Sequence, residues 1–233
     1  MNFAIFTRSN DARLSFLLSG LKKRNLQPKV IIVSDKKSPK PTFIRKLKKF
    51  LKKEIEKDNS DFLNNSNLNV QLVDSHNSEL TLSILKENNI KYVFLSKCGI
   101  ISRCMFNHRI KFINAHPSIL PLYRGRGSLE WAVFNGGPLG YTIHYIDENI
   151  DMGPIILTKN IFTKKEETLA EYKTRLDRDA INSVCDLFLQ IKNKKKINLI
   201  LQKKSQGIHF FRKPNKKELL CINKIFADFS INN

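Results

Sequence analysis

Apolar positions fall into short runs and helical stripes that alternate along the first thirty residues. Residues 3–6 form an apolar run suited to a buried strand. Asn10 or Asp11 can then cap a helix carrying Leu14, Phe16, Leu17, Leu18 and Leu21 on its stripe. A second strand follows at residues 29–33. Strand, helix, strand over this distance is the βαβ signature of a parallel sheet. A departure comes next. Thr42 can cap a helix in which Phe43, Ile44, Leu47, Phe50, Leu51 and Ile55 recur at helical spacing among lysines. This basic amphipathic insertion, about residues 39–63, reads either as a helix docked on the domain with a solvated outer face or as a surface for an anionic membrane or acidic ligand.

The rhythm then resumes. Residues 69–73 read as a strand, 78–87 as a helix, 91–95 and 111–113 as strands, the last running directly into Asn114. Residues 127–135 look helical, with Leu129, Trp131, Ala132, Val133 and Phe134; 140–146 and 154–162 alternate as strands. A long helix is expected over 167–191, and the tail offers a short extended piece, H-F-F-R, and a last helix. The lysine-rich residues 192–196 are the only hinge candidate, and there is no internal repeat. The expected fold is therefore α/β, with a mostly parallel twisted sheet, the inserted basic helix and a small C-terminal helical extension. In such folds ligands sit beyond the carboxyl ends of the strands, where Asn114 and His116 stand.

Composition narrows the class. The 233 residues, 41% of them hydrophobic, suit a globular domain of ordinary size. No apolar run approaches the ~20 residues of a membrane span, and the amino terminus lacks a signal-peptide pattern, so the chain reads as soluble and cytoplasmic. Cys98, Cys104, Cys185 and Cys221 form no C-x-x-C pair, which argues against a metal site or a disulfide framework. The net charge of +20 suggests nucleic acid as a first partner. The lysines are spread over the chain, however, and would attract any phosphorylated ligand.

The stretch N-A-H-P-S-I-L-P-L-Y-R-G-R-G, beginning at Asn114, carries candidate chemistry. Side chains at i and i+2 of a strand share a face, so Asn114 and His116 point the same way. Pro117 cannot donate to a ladder and ends the strand. An amide and an imidazole at the open end of a buried sheet can polarise a carbonyl whose oxygen becomes negative during attack. Further on, G-Y-T-I-H-Y-I-D-E-N-I-D-M-G-P-I-I-L sets Thr142 and His144 on one strand face and puts Asp151 just before Met152 and Gly153. A carboxylate beside an imidazole raises the imidazole pKa and orients the ring. On spacing alone, His116 reads more readily as a structural histidine than a catalytic one, and Asp151 equally as a turn former.

The sequence N-A-H-P-S-I-L-P-L-Y-R-G-R-G-S-L-E-W-A-V-F-N-G-G-P-L-G-Y-T-I-H, followed by D-M-G-P-I-I, resembles the core of the formyltransferases that use 10-formyltetrahydrofolate. The pattern of that family is roughly N-x-H-P/G-S-L-L-P-x-Y-R-G, then G-x-T-x-H, then D-x-G, and the match covers about residues 90–160. The resemblance implies a Rossmann-like fold, with residues 1–195 as the catalytic domain and 196–233 as an extension. It puts Asn114, His116 and Asp151 on the family's catalytic trio. It implies that the folate lies against the loop Cys98, Gly99, Ile100, Ile101 and Ser102 and the segment from Asp147 to Asp151, with Ser118 and Leu120 in the loop near the formyl group. A substrate amine would attack the formyl carbon, Asn114 and protonated His116 would stabilise the oxyanion, and Asp151 would hold His116 and help move the proton. No metal is implied.

The family formylates initiator methionyl-tRNA, glycinamide ribonucleotide and nucleotide-linked amino sugars. Only about 75 residues follow Asn160, fewer than the β-barrel domain of the tRNA enzymes leads one to expect. The segment after the first strand, F-T-R-S-N-D, keeps Ser9 and Asn10 but not the glycines of the ribonucleotide enzymes. R-G-R-G-S-L-E-W-A-V-F-N-G is similar to the corresponding stretch of the domain that formylates UDP-4-amino-4-deoxyarabinose. A nucleotide-linked amino sugar for surface polysaccharide is thus the expected acceptor. Arg8, Arg124 and Arg126 are assigned to its diphosphate, because guanidinium forks suit phosphate, with Ser9, Asn10 and Tyr123 alongside. Trp131 reads as helix core. Other readings stay open: glycinamide ribonucleotide, methionyl-tRNA, and a non-enzymatic relative that binds RNA or membrane through its lysines. A homodimer through the last long helix and the H-F-F-R tail, and weak contact of the basic helix with an anionic membrane, complete the expected partners.

Overall fold

The computed structural model describes residues 1–34, 68–203, 208–210 and 212–231. The basic helix expected within residues 39–63 lies outside the described residues. Nine strands and five α-helices are described: β1 (Phe3–Thr7), α1 (Arg13–Lys22), β2 (Val30–Ser34), β3 (Val70–Val73), α2 (Glu79–Glu87), β4 (Tyr92–Leu95), β5 (Lys111–His116), β6 (Tyr123–Gly125), α3 (Ser128–Phe134), β7 (Gly140–Tyr145), β8 (Ile155–Asn160), α4 (Leu169–Lys192), β9 (Ile208–Phe210) and α5 (Lys216–Ile231). A 3-10 turn spans Arg103–Asn107. Seven strands follow the order β3-β2-β1-β4-β5-β7-β8, and β6 pairs with β9 apart from them. This is the α/β, mostly parallel architecture the hydrophobic pattern predicts. No helix among the described residues is long and apolar enough to cross a membrane. The chain divides into two compact units, Met1–Ile113 with Phe188–Asn193, and Asn114–Leu187 with Lys194–Asn233.

In the first unit β1 is flanked by β2 and β4, both parallel to it, and β2 by β3. Every residue of β1 is buried, as are the first four of β2, which is why both read as unbroken apolar runs rather than as alternation. Phe3 stacks on Phe188 at 4.4 Å, and Phe6 stacks on the His76 ring at 4.7 Å. Helix α1 buries Leu14, Leu17 and Leu21, and each leucine so buried contributes about 1.5–3 kcal/mol. Asp11 caps this helix from one residue further out than a standard N-cap. Its Oδ1 accepts from the Arg13 amide at 3.1 Å, while Ala12 occupies the cap position with no side-chain bond. At α2, Ser78 accepts from the Thr81 amide, the ordinary N-cap bond.

The second unit contains the end of β5, the antiparallel pair β7–β8, and the two-stranded sheet in which β9 runs parallel to β6. The tail is packed onto the rest of this unit. The Trp131 indole donates to the Arg212 carbonyl at 3.3 Å, and the Arg212 guanidinium sits 5.1 Å from the centre of the Trp131 ring. Asn215 and Glu218 cap α5 reciprocally: each side chain accepts from the other's amide, at 2.7 and 2.9 Å. Trp131 is core, packed with Tyr123, Ala132 and Leu139.

Candidate functional site

Strand β5 ends at His116 because Pro117 follows it, and the alternation of the strand sets Asn114 and His116 on one face. Strand β7 is buried along its whole length and brings Thr142 and His144 in on one face. Between the pairs Ile143↔Leu157 and His144↔Ile155 the register of β7 and β8 shifts, leaving Ile156 as an extra residue. Such a bulge bends a strand and re-aims its side chains. The result is a polar cluster inside the second unit. The Asn114 amide nitrogen is 3.2 Å from His144 Nε2, His116 Nδ1 is 3.5 Å from Asp151 Oδ2, and His144 Nε2 is 3.7 Å from Asp151 Oδ1. The two imidazole rings meet edge to face at 6.2 Å.

The partners fix the protons. A carbonyl oxygen only accepts, so His144 Nδ1 carries the hydrogen it gives to Tyr145 O at 2.8 Å. Burial pushes the His144 pKa down to about 4; Asp151 opposes the shift and His116 adds to it. At neutral pH the ring is therefore uncharged, its Nε2 is an acceptor, and it takes one N–H of the Asn114 amide. The second amide hydrogen of Asn114 has no partner among the described residues. His116 Nε2 likewise donates to Tyr123 O at 2.8 Å, which turns Nδ1 toward Asp151. Ser118 Oγ donates to the same carbonyl at 2.9 Å, filling its second lone pair.

Asp151 sits on a tight turn with φ 52°, in the left-handed region that asparagine and aspartate tolerate best. Holding a non-glycine residue there costs about 1–2 kcal/mol. Gly153 makes the turn feasible, because a Cβ at that position would lie 1.9 Å from Tyr145 O. The Gly125 amide donates to Asp151 Oδ2 at 2.8 Å, fixing the carboxylate. The loop after β5 is pinned from β7: Thr142 Oγ1 accepts from the Leu120 amide and donates to Ser118 O, both at 2.9 Å. Ser118 and Leu120, expected near the formyl group, are buried in this loop.

Two expected substrate residues are placed elsewhere than the sequence reading has them. Arg124 is fully buried, and its guanidinium donates to the Gln202 side chain at 3.0 and 3.2 Å and to Lys203 O at 3.3 Å. It is an internal strut, and the diphosphate role expected for it does not fit. The Tyr123 side chain packs in the cluster around Trp131, and only its carbonyl reaches the site. Arg126 is exposed. Asp147 is half-buried and closes a local turn by accepting from the Asn149 amide at 2.9 Å. The remaining expected residues belong to the first unit. Arg8 is half-buried, and its nearest guanidinium nitrogen lies 3.7 Å from where a Cβ of Gly99 would be. Ser9 is half-buried and Asn10 exposed, the Asn10 carbonyl accepting from Lys97 at 3.2 Å. Asn77 braces the loop that holds Cys98, Ile101 and Ser102, donating to Ile100 O and accepting from the Ser102 amide, both at 2.9 Å. Burial pushes the Cys98 thiol up to about 12 against Arg8 and Arg13, so it is no nucleophile at neutral pH. The sequence reading singled out neither His144 nor Gly125 as a site residue, although the period-two alternation of G-Y-T-I-H-Y had already put His144 on the face of Thr142.

The formyl transferase family model matches residues 1–185. The chain belongs to the formyl transferase family. Among curated relatives, the GDP-perosamine N-formyltransferase of Brucella melitensis is 42% identical over 57 residues, which is 24% of this chain and 22% of that protein. The methionyl-tRNA formyltransferase of Thermodesulfovibrio yellowstonii is 48% identical over 63 residues, 25% of this chain and 20% of that protein. The chain thus spans about a fifth of the length of these two relatives. The fold is also that of the formyltransferase PseJ from Anoxybacillus kamchatkensis, solved in complex with UDP-4,6-dideoxy-4-formamido-L-AltNAc and tetrahydrofolate. That structure is 19% identical with a TM-score of 0.58, and the alignment covers 100% of both chains. The formyl transferase membership and the α/β fold agree with the expectation drawn from the motif at Asn114.

Proposed function

We propose that this protein transfers a formyl group from 10-formyltetrahydrofolate to a primary amine, and that the amine belongs to a nucleotide-linked amino sugar made for surface polysaccharide. The observation that carries the reaction class is the amide of Asn114. Neutral His144 holds one of its hydrogens and leaves the other directed away from that bond. This donor set suits a carbonyl oxygen that gains negative charge. The folate supplies the activated formyl group. As the amine nitrogen bonds to the formyl carbon, Asn114 donates to the formyl oxygen, a contribution of about 3–4 kcal/mol for a well-placed donor. The proton shed by the amine passes to the Asp151–His116 pair and on to the folate nitrogen as its bond to the formyl carbon breaks.

Support for a sugar acceptor comes from the R-G-R-G-S-L-E-W-A-V-F-N-G stretch, from the GDP-perosamine relative, and from the nucleotide sugar in the PseJ complex. With Arg124 buried, Arg126, which is exposed, is the arginine of that stretch left for a diphosphate. Purified protein is to be incubated with 10-formyltetrahydrofolate and, separately, UDP-, GDP- and dTDP-linked 4-amino sugars, glycinamide ribonucleotide and methionyl-tRNA. Release of tetrahydrofolate is followed by absorbance, and the product by mass. A gain of one formyl group on a sugar nucleotide is expected. Transfer to the ribonucleotide or the tRNA and to no sugar overturns the acceptor; transfer to none of them overturns the reaction.

A further inference from the structure

Gln202 lies beyond residue 185, where the family match ends, in the segment that follows α4. Its side chain makes four hydrogen bonds within the second unit. Oε1 accepts from Arg124 Nε at 3.2 Å and Nη2 at 3.0 Å. Nε2 donates to Asp151 O at 3.1 Å and to Gly153 O at 2.7 Å. The orientation of the amide is forced: a guanidinium has only donors, so it faces the oxygen, and two carbonyls have only lone pairs, so they face the NH2. Every hydrogen of that NH2 is spent on the turn that carries Asp151.

We propose that Gln202 is a positioning residue for Asp151. The turn needs one, because Asp151 is held at φ 52° and its carboxylate reaches both histidines from there. Such a conformation persists only where its surroundings over-determine it. The Gly125 amide fixes the carboxylate, and Gln202 fixes the backbone on either side of Met152. The other end of the Gln202 amide is anchored on Arg124, a buried side chain that the Lys203 carbonyl also holds. The path is continuous: Arg124 to Gln202, Gln202 to the Asp151 backbone, Asp151 to His116. No other uncharged side chain of this length offers two hydrogens and an acceptor together. A glutamate would satisfy Arg124 but present lone pairs to both carbonyls of the turn; a methionine would satisfy neither side.

The effect on rate rests on the formyl-transfer reading; the effect on the turn does not, and the test separates them. Gln202→Glu keeps the Arg124 bonds and removes those to the turn, and Gln202→Met removes both. Exchange of the Gly125 amide hydrogen, read by NMR in the full chain, reports whether the Asp151 carboxylate still accepts from it and needs no substrate. In folded Gln202→Glu the Gly125 amide is expected to exchange at least about tenfold faster, with the amides of β1 and β2 unchanged. With the acceptor found in the transfer assay, kcat is expected to fall about 10–100-fold while both KM values stay within about twofold. If Gln202→Met fails to fold, the glutamate variant decides alone. Unchanged Gly125 exchange in folded Gln202→Glu overturns the proposal, as does an unchanged kcat. If the wild-type protein transfers no formyl group to any amine, the reaction reading falls, and Gly125 exchange still decides the role of Gln202.

Discussion

His144→Gln separates the charge of His144 from its shape. The histidine is fully buried, and its pKa falls from 6.5 to about 4, chiefly through burial. In the unfolded chain it titrates near its ordinary value. Between these two values the unfolded state binds more protons, so stability is full above pH 6.5 and falls as pH drops toward 4. At about 1.4 kcal/mol per pH unit the complete loss is about 3 kcal/mol, most of it gone by pH 4.5. Glutamine does not titrate, and its oxygen can take the place of Nε2 as acceptor for Asn114. It leaves Tyr145 O without the Nδ1 hydrogen, which costs about 1 kcal/mol. The two stabilities should therefore cross: the variant about 1 kcal/mol below wild type at pH 7.5, and about 1–2 kcal/mol above it at pH 4.5. Urea unfolding of both proteins between pH 8 and pH 4 measures this. A difference that stays flat over that range would show that His144 is not held neutral, and the argument that it orients Asn114 would fail with it.

Asp151→Asn keeps the size of the side chain but removes the charge 3.5 Å from His116 Nδ1. Loss of an acid–base partner there is expected to cost about 10²–10⁴-fold in kcat, with the melting temperature little changed. A drop of less than about tenfold would remove Asp151 from the proton path. Thr142→Val leaves the Leu120 amide and the Ser118 carbonyl unpaired in the interior. It is expected to destabilise by about 2–4 kcal/mol in a denaturant titration, whereas Ser15→Ala, on an exposed site, should cost less than about 0.5 kcal/mol. Gly153→Ala forces a Cβ to 1.9 Å from Tyr145 O, so the turn must move. Loss of turnover in a protein that keeps its far-ultraviolet circular dichroism is the expected result, and normal turnover would contradict the geometry of the turn.

The pattern of apolar residues told most about β1 and β2, where full burial on both faces leaves unbroken runs of phenylalanine, isoleucine and valine. It told nearly as much about Asn114 and His116, since a period of two and a following proline suffice to put both at a strand end. Arg124 was misassigned for a plain reason. R-G-R-G places two arginines at equal chemical standing, and only the fold reveals that one is wrapped by Gln202 and Lys203 while the other is exposed. Gln202 itself gave no signal, because its partners are 49, 51 and 78 residues away and two of them are backbone carbonyls, which carry no side-chain signature. The protonation state of His144 was equally out of reach. It depends on the Tyr145 carbonyl and on burial, neither of which is written in the spacing of T-I-H.

Ile156, the extra residue of the bulge within β8, has a consequence for how relatives are counted. Deleting it would leave Asn114, His116, His144 and Asp151 in place in the written sequence, and any search by motif would score the protein as intact. Yet the two pairs on either side of it would close into regular register, and the bend that the bulge imposes beside His144 would be lost. A gene carrying that single-codon loss should therefore encode a folded protein whose polar cluster is misaligned, invisible to inventories that tally site letters.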